Sequence, residues 1–251
     1  VNISSPQFDT LELPLPLQEV FANLLEMPYP AYLDGGLGSS GPGRFSYATA
    51  DPFLILRSKG RQVEIETGGS VSRLDADPFL VLQGLLKRYS LSPAQGLPHF
   101  QGGALGYLGY ELGRHLERLP THAVDDLSLP EMNIGFYDWV IARDHTLGAT
   151  WVISTGFPDA TTDGAQERLH FVERHLGASH SHSPSSGPFH EPGSLTSNFT
   201  RNDYLAAVSA VRNYIVSGDI YQANISQRFE ASLTCDPWEL YLRLRQVSPL
   251  R

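Results

Sequence analysis

Two short segments near the start of the chain carry residue types that suit a small ligand with charged and aromatic parts. The first is Leu33–Gly35, and the second is Arg44 with Phe45. A guanidinium can make two parallel hydrogen bonds to a carboxylate, and an aromatic ring can stack on a flat ligand. The stretch Gly35–Gly43 is rich in glycine and serine, which predicts a turn between the two segments. The pattern indicates a ligand-binding turn without naming the ligand.

Glycines are densest between Phe100 and Arg114, at positions 102, 103, 106, 109 and 113. Such a cluster invites comparison with phosphate-binding loops, but neither G-x-G-x-x-G nor G-x-x-x-x-G-K-[ST] is present, and no helix start follows. Glycines that alternate with leucine and tyrosine are typical of a strand to which another backbone comes close. We therefore predict a structural strand over Gly102–Leu112 in preference to a nucleotide site.

Other reactive side chains occur without a recognisable catalytic arrangement. Five histidines crowd a helix and a serine-rich tract, where a solvated linker is a better interpretation than a zinc site. They are His170, His175, His180, His182 and His190. No G-x-S-x-G motif marks a serine nucleophile, and the single cysteine, Cys235, predicts an inert thiol. Isolated acids in strand-like runs are predicted to face solvent, namely Asp34, Glu111, Asp138 and Glu230.

Apolar spacing and turn residues predict an α+β fold with a large antiparallel sheet. Strands are predicted over Ala31–Leu33, Phe45–Thr49, Phe53–Arg57, Val63–Glu66, Gly102–Leu112, Asn133–Asp144, Thr150–Ser154 and Ile220–Leu233. Helices are predicted over Leu15–Met27, after an Asp77 cap, over Asp163–Leu176, from Thr200 to Gly218 with Tyr204, Val208, Val211 and Ile215 on its inward face, and after Asp236 with Leu240, Leu244 and Val247 inward. The tract from Gly177 to Phe199 is rich in Ser, His, Pro and Gly and is predicted to be a flexible linker.

Composition limits the possible partners. A chain of 251 residues with 41% hydrophobic residues can bury a core. Its 27 Asp and Glu against 18 Lys and Arg give a formal net charge of −9, which repels phosphate backbones and anionic lipids and argues against nucleic-acid and membrane-surface binding. No apolar run approaches the roughly 20 residues that span a bilayer, and no signal pattern opens the chain. These features predict a cytoplasmic protein.

Three motifs in order along the chain resemble the chorismate-utilising enzymes. They are Phe100–Arg114, then Leu129–Met132 with Gly135–Trp139, and then Tyr214–Phe229, the most specific of the three. The resemblance runs from about Leu13 to Arg251, sparing the linker. It is nearest to the large subunits of aminodeoxychorismate synthase, with component I of anthranilate synthase as the next relative.

The resemblance implies two packed antiparallel sheets with helices outside. It assigns residues 1–176 to the family's N-terminal domain, 177–199 to a linker, and 200–251 to the start of the chorismate-binding domain. It also implies amination of chorismate with Mg²⁺ as cofactor and ammonia from a glutamine amidotransferase partner, on the route to 4-aminobenzoate and folate. The family's reactive lysine, in a Pro-Ile-Lys-Gly-Thr motif, and its Mg²⁺ ligands are expected beyond Arg251.

The position of these catalytic and metal-binding residues has a consequence for the activity of this chain. No catalytic or metal-binding residue is expected within it, so the 251 residues alone are expected to lack synthase activity. Two alternatives stay open, which are anthranilate synthesis for tryptophan and a catalytically empty module that binds tryptophan or an amidotransferase.

The resemblance also implies a tryptophan-binding effector pocket. Its residues, carried over by position, are Leu33, Asp34, Gly35, Pro42, Gly43, Arg44, Phe45, Pro249, Leu250 and Arg251. Family members commonly have Ser where this chain has Gly35, and the lost hydroxyl would weaken binding by about 1 kcal/mol. Asn224 is added because it and Gln222 lie two apart, on one face of the predicted strand. Their amides either contact the ligand or join neighbouring strands.

Overall fold

Two five-stranded antiparallel sheets form most of the larger of two units. The computed structural model describes residues 5–12, 16–36, 43–121, 124–177 and 194–248. The chain divides into a first unit, Val1–His182 with Ser248–Arg251, and a second unit, Ser183–Val247.

The elements of the first unit follow one another without strict alternation of strand and helix. In chain order they are β1 (Gln7–Thr10), α1 (Leu17–Phe21), β2 (Ala31–Leu33), β3 (Phe45–Thr49), β4 (Leu54–Lys59), β5 (Gln62–Thr67), β6 (Ser70–Asp75), α2 (Pro78–Arg88), β7 (Gly103–Leu108), β8 (Met132–Tyr137), β9 (Trp139–Asp144), β10 (Ala149–Ser154) and α3 (Thr162–Gly177). The first sheet has the order β1-β10-β9-β3-β2 and the second β6-β5-β4-β8-β7. The predicted α+β class with two antiparallel sheets is confirmed.

Each sheet has its own apolar core. On the second sheet, Leu56, Val63 and Phe136 form a buried cluster, to which α2 contributes Leu85. On the first sheet, Val140, Ala142 and Ile153 are fully buried and pack against the loop residues Leu97 and Phe100. Helix α3 packs on strands β1 and β10 of the same sheet. The central strands β8 and β9 are buried along almost their whole length, so both of their faces are covered.

The start of α2 follows the predicted capping chemistry. The Asp77 carboxylate accepts the backbone amides of Phe79 and Leu80 at 2.8 and 3.4 Å. Pro78 occupies the first helical position, where its missing amide hydrogen costs nothing.

The glycine-rich segment forms a strand, as predicted, but a shorter one. Strand β7 ends at Leu108, and Tyr110–His115 form a 3₁₀ helix. An added Cβ at Gly106 would lie 2.0 Å from the carbonyl oxygen of Asn133 on β8, so no larger residue fits there. The close backbone approach explains the glycine without any nucleotide role.

The predicted strand Asn133–Asp144 is wrong in one important respect. The structure divides it at Asp138 into β8 and β9, which belong to different sheets. Asp138 was expected to face solvent, yet it is only 3% exposed because its carboxylate pairs with Arg168 of α3. Period-two alternation cannot reveal this break, because both halves are buried strands.

Several further boundaries differ from the predictions. The first helix is limited to Leu17–Phe21 with a 3₁₀ turn, Ala22–Leu24, in place of Leu15–Met27. Strands β1 and β6 were not predicted, and β6 consists largely of polar, exposed residues. Such a strand forms by pairing with a neighbour and carries little apolar signal of its own.

Within residues 194–247, the described part of the second unit, there are two helices and one short strand pair. These are β11 (Thr196–Ser197), α4 (Arg201–Ser217), β12 (Phe229–Glu230) and α5 (Pro237–Val247). The Thr200 hydroxyl accepts the amide of Asp203 at 3.2 Å, and Gly218 ends α4 with φ 83°, both as predicted.

The predicted inward faces hold only in part. Of the residues predicted on the inward face of α4, Tyr204, Val208 and Val211 are half-buried and Ile215 is exposed, and no residue of that helix is fully buried. On α5 Leu240 is half-buried, whereas Leu244 and Val247 are exposed.

Two predictions for the second unit need correction. Of the predicted strand Ile220–Leu233, only Phe229–Glu230 forms, because a strand requires a partner for its backbone and Thr196–Ser197 is the one partner within the described residues. The same pair places a strand at the end of the predicted linker 177–199, most of which lies outside the described residues.

One cation lies where the chain passes between the two sheets. Arg168 Nε donates to Asp138 Oδ2 at 2.8 Å, and Arg168 Nη1 donates to Asp51 Oδ2 at 3.0 Å. Asp138 separates β8 from β9, and Asp51 lies between β3 and β4. The pKa of Asp138 is raised because burial outweighs the attraction of Arg168.

Arg168→Met should destabilise the first unit by about 3 kcal/mol, because it leaves a buried carboxylate without its cation. The measurement is chemical denaturation followed by tryptophan fluorescence. The loss should be smaller at acidic pH, since a raised pKa means that the folded state favours protonated Asp138, and the neutral acid does not need the arginine.

Arg174→Met is the matched control on the same helix. Its exposed guanidinium donates to the carbonyl of His170 within α3, and its loss should change stability by less than about 0.5 kcal/mol. Equal destabilisation at positions 168 and 174 would contradict the role assigned to Arg168.

Candidate functional site

The hairpin of β2 and β3 brings the two predicted ligand-binding segments together. The strands pair in antiparallel register, with Leu33 opposite Tyr47. The backbone amide of Gly35 then donates to Ser46 Oγ at 2.9 Å. The segment Leu33–Gly35 therefore lies beside Arg44 and Phe45, although the intervening turn is only partly described.

Gly35 has no space for a side chain. An added Cβ would lie 2.4 Å from the carbonyl oxygen of Phe45 and 2.7 Å from that of Gly43. Both neighbours are backbone atoms, so they cannot rotate away as a side chain would. Close packing of two backbones thus accounts for this glycine, where the sequence had suggested only a lost ligand contact.

Asp34 helps to set the start of the turn. Its Oδ1 accepts the backbone amide of Gly36 at 2.9 Å, which is the geometry of an Asx turn. The carboxylate is partly buried at the edge of the site. A backbone hydrogen bond thus holds the orientation of this acid.

Arg44 is the fixed cation of the site. Its Nε and Nη2 donate to the same oxygen, Asp144 Oδ2, at 2.9 and 2.6 Å. The guanidinium carbon lies 4.7 Å from the centroid of the Phe45 ring, within the range of a cation–π contact. The side chain remains 43% exposed, so it is both oriented by protein contacts and accessible to a ligand.

Arg44 changes the pKa of its partner Asp144. The hydrogen bond from Arg44 lowers the pKa of Asp144, and the backbone amides of Leu147 and Thr146 act in the same direction against burial. The carboxylate is therefore charged throughout the neutral range. A charged acid and a charged guanidinium make the strongest type of protein hydrogen bond.

A second contact supports the Gly35 side of the site. Ser46 is fully buried, and its Oγ lies 2.8 Å from His145 Nε2. The Ser46 oxygen accepts the Gly35 amide and also shares a hydrogen bond with the imidazole, whose direction depends on the His145 tautomer. His145 thereby sets the hydroxyl that holds the Gly35 backbone.

The structure does not bring every predicted site residue together. Asn224 lies in an exposed irregular segment of the second unit and not in a strand, so the shared face with Gln222 that the strand implied is lost. The remaining predicted residues, Pro42, Pro249, Leu250 and Arg251, lie outside the described residues.

Ser46, Asp144 and His145 were not predicted from sequence. The sequence analysis paired Arg44 with a ligand carboxylate and gave it no partner within the protein. Asp144 is 100 positions away along the chain, however, and only the pairing of Phe45 with Asp144 across β3 and β9 brings it near.

Neither a metal cluster nor a membrane span occurs in the part of the chain that the structure describes. No group of three or more His, Cys, Asp or Glu side chains there could hold a metal ion. These residues therefore do not fit the Mg²⁺ that the resemblance implies. No helix within the described ranges is long and apolar enough to cross a membrane.

Comparison with known families defines the class. A family model described as chorismate binding enzyme matches residues 43–250, which is most of the chain. The chain therefore belongs to the chorismate binding enzyme family, as its motifs indicated.

Two relatives of known activity are similar to this chain over most of its length. Aminodeoxychorismate synthase component 1 of Escherichia coli is 34% identical over 230 residues, 91% of this chain and 48% of the relative. Anthranilate synthase component 1 of Acetivibrio thermocellus is 29% identical, over 82% of this chain and 44% of the relative. The chain thus spans about half the length of the relatives it matches.

A solved structure supports the fold. Anthranilate synthase component I from Streptococcus pneumoniae matches with a TM-score of 0.67 at 23% identity, over 84% of this chain and 47% of that one. At this level of identity the match establishes the fold alone.

Gly35→Ser should destabilise the first unit by about 1–3 kcal/mol, because the side chain must displace backbone atoms. Thermal unfolding measures the effect. Gly84→Ala is the matched control, since Gly84 lies within α2 with nothing near its added Cβ. It should stabilise by about 1 kcal/mol, the difference in helix propensity. A neutral or stabilising Gly35→Ser would show that the β2–β3 turn is looser than described.

Proposed function

We propose that this chain is part of the large subunit of an aminodeoxychorismate synthase. In this reaction a hydroxyl of chorismate is replaced by ammonia to give 4-amino-4-deoxychorismate, a precursor of 4-aminobenzoate and folate. The observation that carries the proposal is the 34% identity to aminodeoxychorismate synthase component 1, sustained over 91% of this chain. The family match to chorismate binding enzymes supports the same substrate.

Anthranilate synthesis is the second candidate. Its support is the 29% identity to an anthranilate synthase component 1 over 82% of the chain. The two candidates differ by a few per cent in identity, so the product must be measured. The third possibility, a catalytically empty binding module, is tested by the same assay.

The chemistry would require groups that the described residues do not supply. We propose that a glutamine amidotransferase provides ammonia and that Mg²⁺ binds the substrate through residues outside those described. The metal would neutralise the chorismate carboxylates and polarise the leaving hydroxyl. The part assigned to the present chain is to build the effector site and half of the family fold.

The assay uses the intact protein with chorismate, ammonium ion and Mg²⁺, and separates products by liquid chromatography. We expect 4-amino-4-deoxychorismate from the intact protein and no product from residues 1–251 alone. Anthranilate as the product would replace the first candidate by the second. No product from the intact protein would favour the binding module, and product from residues 1–251 alone would overturn the placement of the catalytic groups.

We further propose that the site formed by Leu33–Gly35 and Arg44–Phe45 binds tryptophan as an effector. Three features support this ligand class. Arg44 offers a charged donor for the carboxylate of tryptophan, Asp34 offers a carboxylate for its ammonium group, and Phe45 offers an aromatic surface for its indole ring. No side chain fits at Gly35, so a serine hydroxyl cannot contribute to binding there. We propose that the ligand is recognised by Arg44, Asp34 and Phe45 alone.

Calorimetric titration of the intact protein with L-tryptophan tests the effector site. We expect saturable binding. Its Kd should be about fivefold higher than that of a family member with Ser at the position of Gly35, because one hydrogen bond of about 1 kcal/mol is lost. The control ligand is L-alanine, which lacks the aromatic ring and should give no heat of binding. Absence of binding at millimolar tryptophan would remove the effector role and leave the synthase proposal to its own assay.

A further inference from the structure

Asp144 lies outside the predicted set of ligand-contacting residues, yet both of its oxygens are engaged around the candidate effector site. Oδ1 accepts the backbone amides of Thr146 and Leu147 at 2.8 and 3.0 Å, in the turn between β9 and β10. Oδ2 accepts both bonds from Arg44. With the residue only 1% exposed, the turn fixes the carboxylate and the carboxylate fixes the guanidinium.

The arrangement uses only one edge of the guanidinium. A guanidinium carries five N–H donors, and those of Nε and Nη2 face Asp144. Nη1 has no protein hydrogen-bond partner among the described residues. Since Arg44 is also partly exposed, Nη1 can donate to a ligand carboxylate while the other edge stays bound to the protein.

We propose that Asp144 is the positioning residue of the effector site, which holds the Arg44 guanidinium so that Nη1 receives the carboxylate of an amino-acid ligand. The inference rests on the proposed binding of tryptophan. It adds a residue that acts through Arg44 and makes no contact with the ligand itself. Without it, a long side chain with several rotatable bonds would have to be ordered by the ligand, which reduces affinity.

Asp144→Asn separates positioning from folding. The asparagine Oδ1 can still accept the turn amides, whereas its NH₂ group would face the Nε and Nη2 donors of Arg44 and repel them. We expect the Kd for L-tryptophan to rise by about tenfold, a typical effect of losing an oriented charged hydrogen bond. Tryptamine, which lacks the carboxylate, should bind the variant as it binds the intact wild-type protein.

A double-mutant cycle with Arg44→Met decides the mechanism. If Asp144 acts through Arg44, Asp144→Asn should cost nothing further in the Arg44→Met background. Asp75→Asn is the surface control, because the Arg61–Asp75 pair lies at the exposed edge of the other sheet and should leave binding unchanged. Asp144→Glu, which keeps the charge but moves it by one methylene, provides the test if Asp144→Asn does not fold.

The outcomes distinguish the two proposals. Selective loss of tryptophan binding together with a non-additive cycle supports positioning by Asp144. Additive losses, or equal losses for tryptophan and tryptamine, would overturn it and leave the effector site in place. No tryptophan binding by the wild-type protein would overturn both the effector site and the positioning role, independently of the synthase assay.

Discussion

The strand pair of β3 with β9 lies between the crossing of the chain from one sheet to the other and the candidate site. An arginine–aspartate interaction stabilises each end of this pair. At one end the chain leaves β3 through Asp51 and enters β9 from Asp138, and Arg168 binds both carboxylates. At the other end Arg44 precedes β3 and Asp144 ends β9. Because the strands are antiparallel, a fixed register at the first end also fixes which residues meet at the second. The position of Arg44 therefore depends on the same ladder that orders the first sheet.

The two ion pairs have opposite electrostatic character. At Asp138, burial outweighs the arginine and raises the pKa of the carboxyl, and its Oδ1 is buried without a hydrogen-bond partner among the described residues. At Asp144, the hydrogen bonds outweigh burial and lower the pKa. A buried pair of the first kind adds little net stability but penalises wrong arrangements of the two sheets. The second kind keeps a charged acid facing a charged arginine at a surface that ligands can reach.

Local chemistry was predictable from the sequence, and long-range pairing was not. The cap at Asp77, the end of α4 at Gly218 and the strands around Phe45 and Thr150 follow from residue type and spacing. The break at Asp138 was missed because two buried strands of different sheets read as one continuous apolar run. Among the site residues, Arg44 and Phe45 were recognisable as ligand-binding types. Their partner Asp144 was not, because side chains 100 positions apart meet only through the sheet register.

The most specific family motif, Tyr214–Phe229, resembles the family in sequence, but most of it does not form the strand that was predicted there. Residues 214–217 of the motif end helix α4, Tyr221 is 95% exposed, and only Phe229 joins a strand pair. A strand is stabilised by the backbone of its neighbour, so residue preference alone cannot form one. The strand preference of this segment is therefore largely unmet among the described residues, whereas the strands of the first unit pair with neighbours in two five-stranded sheets.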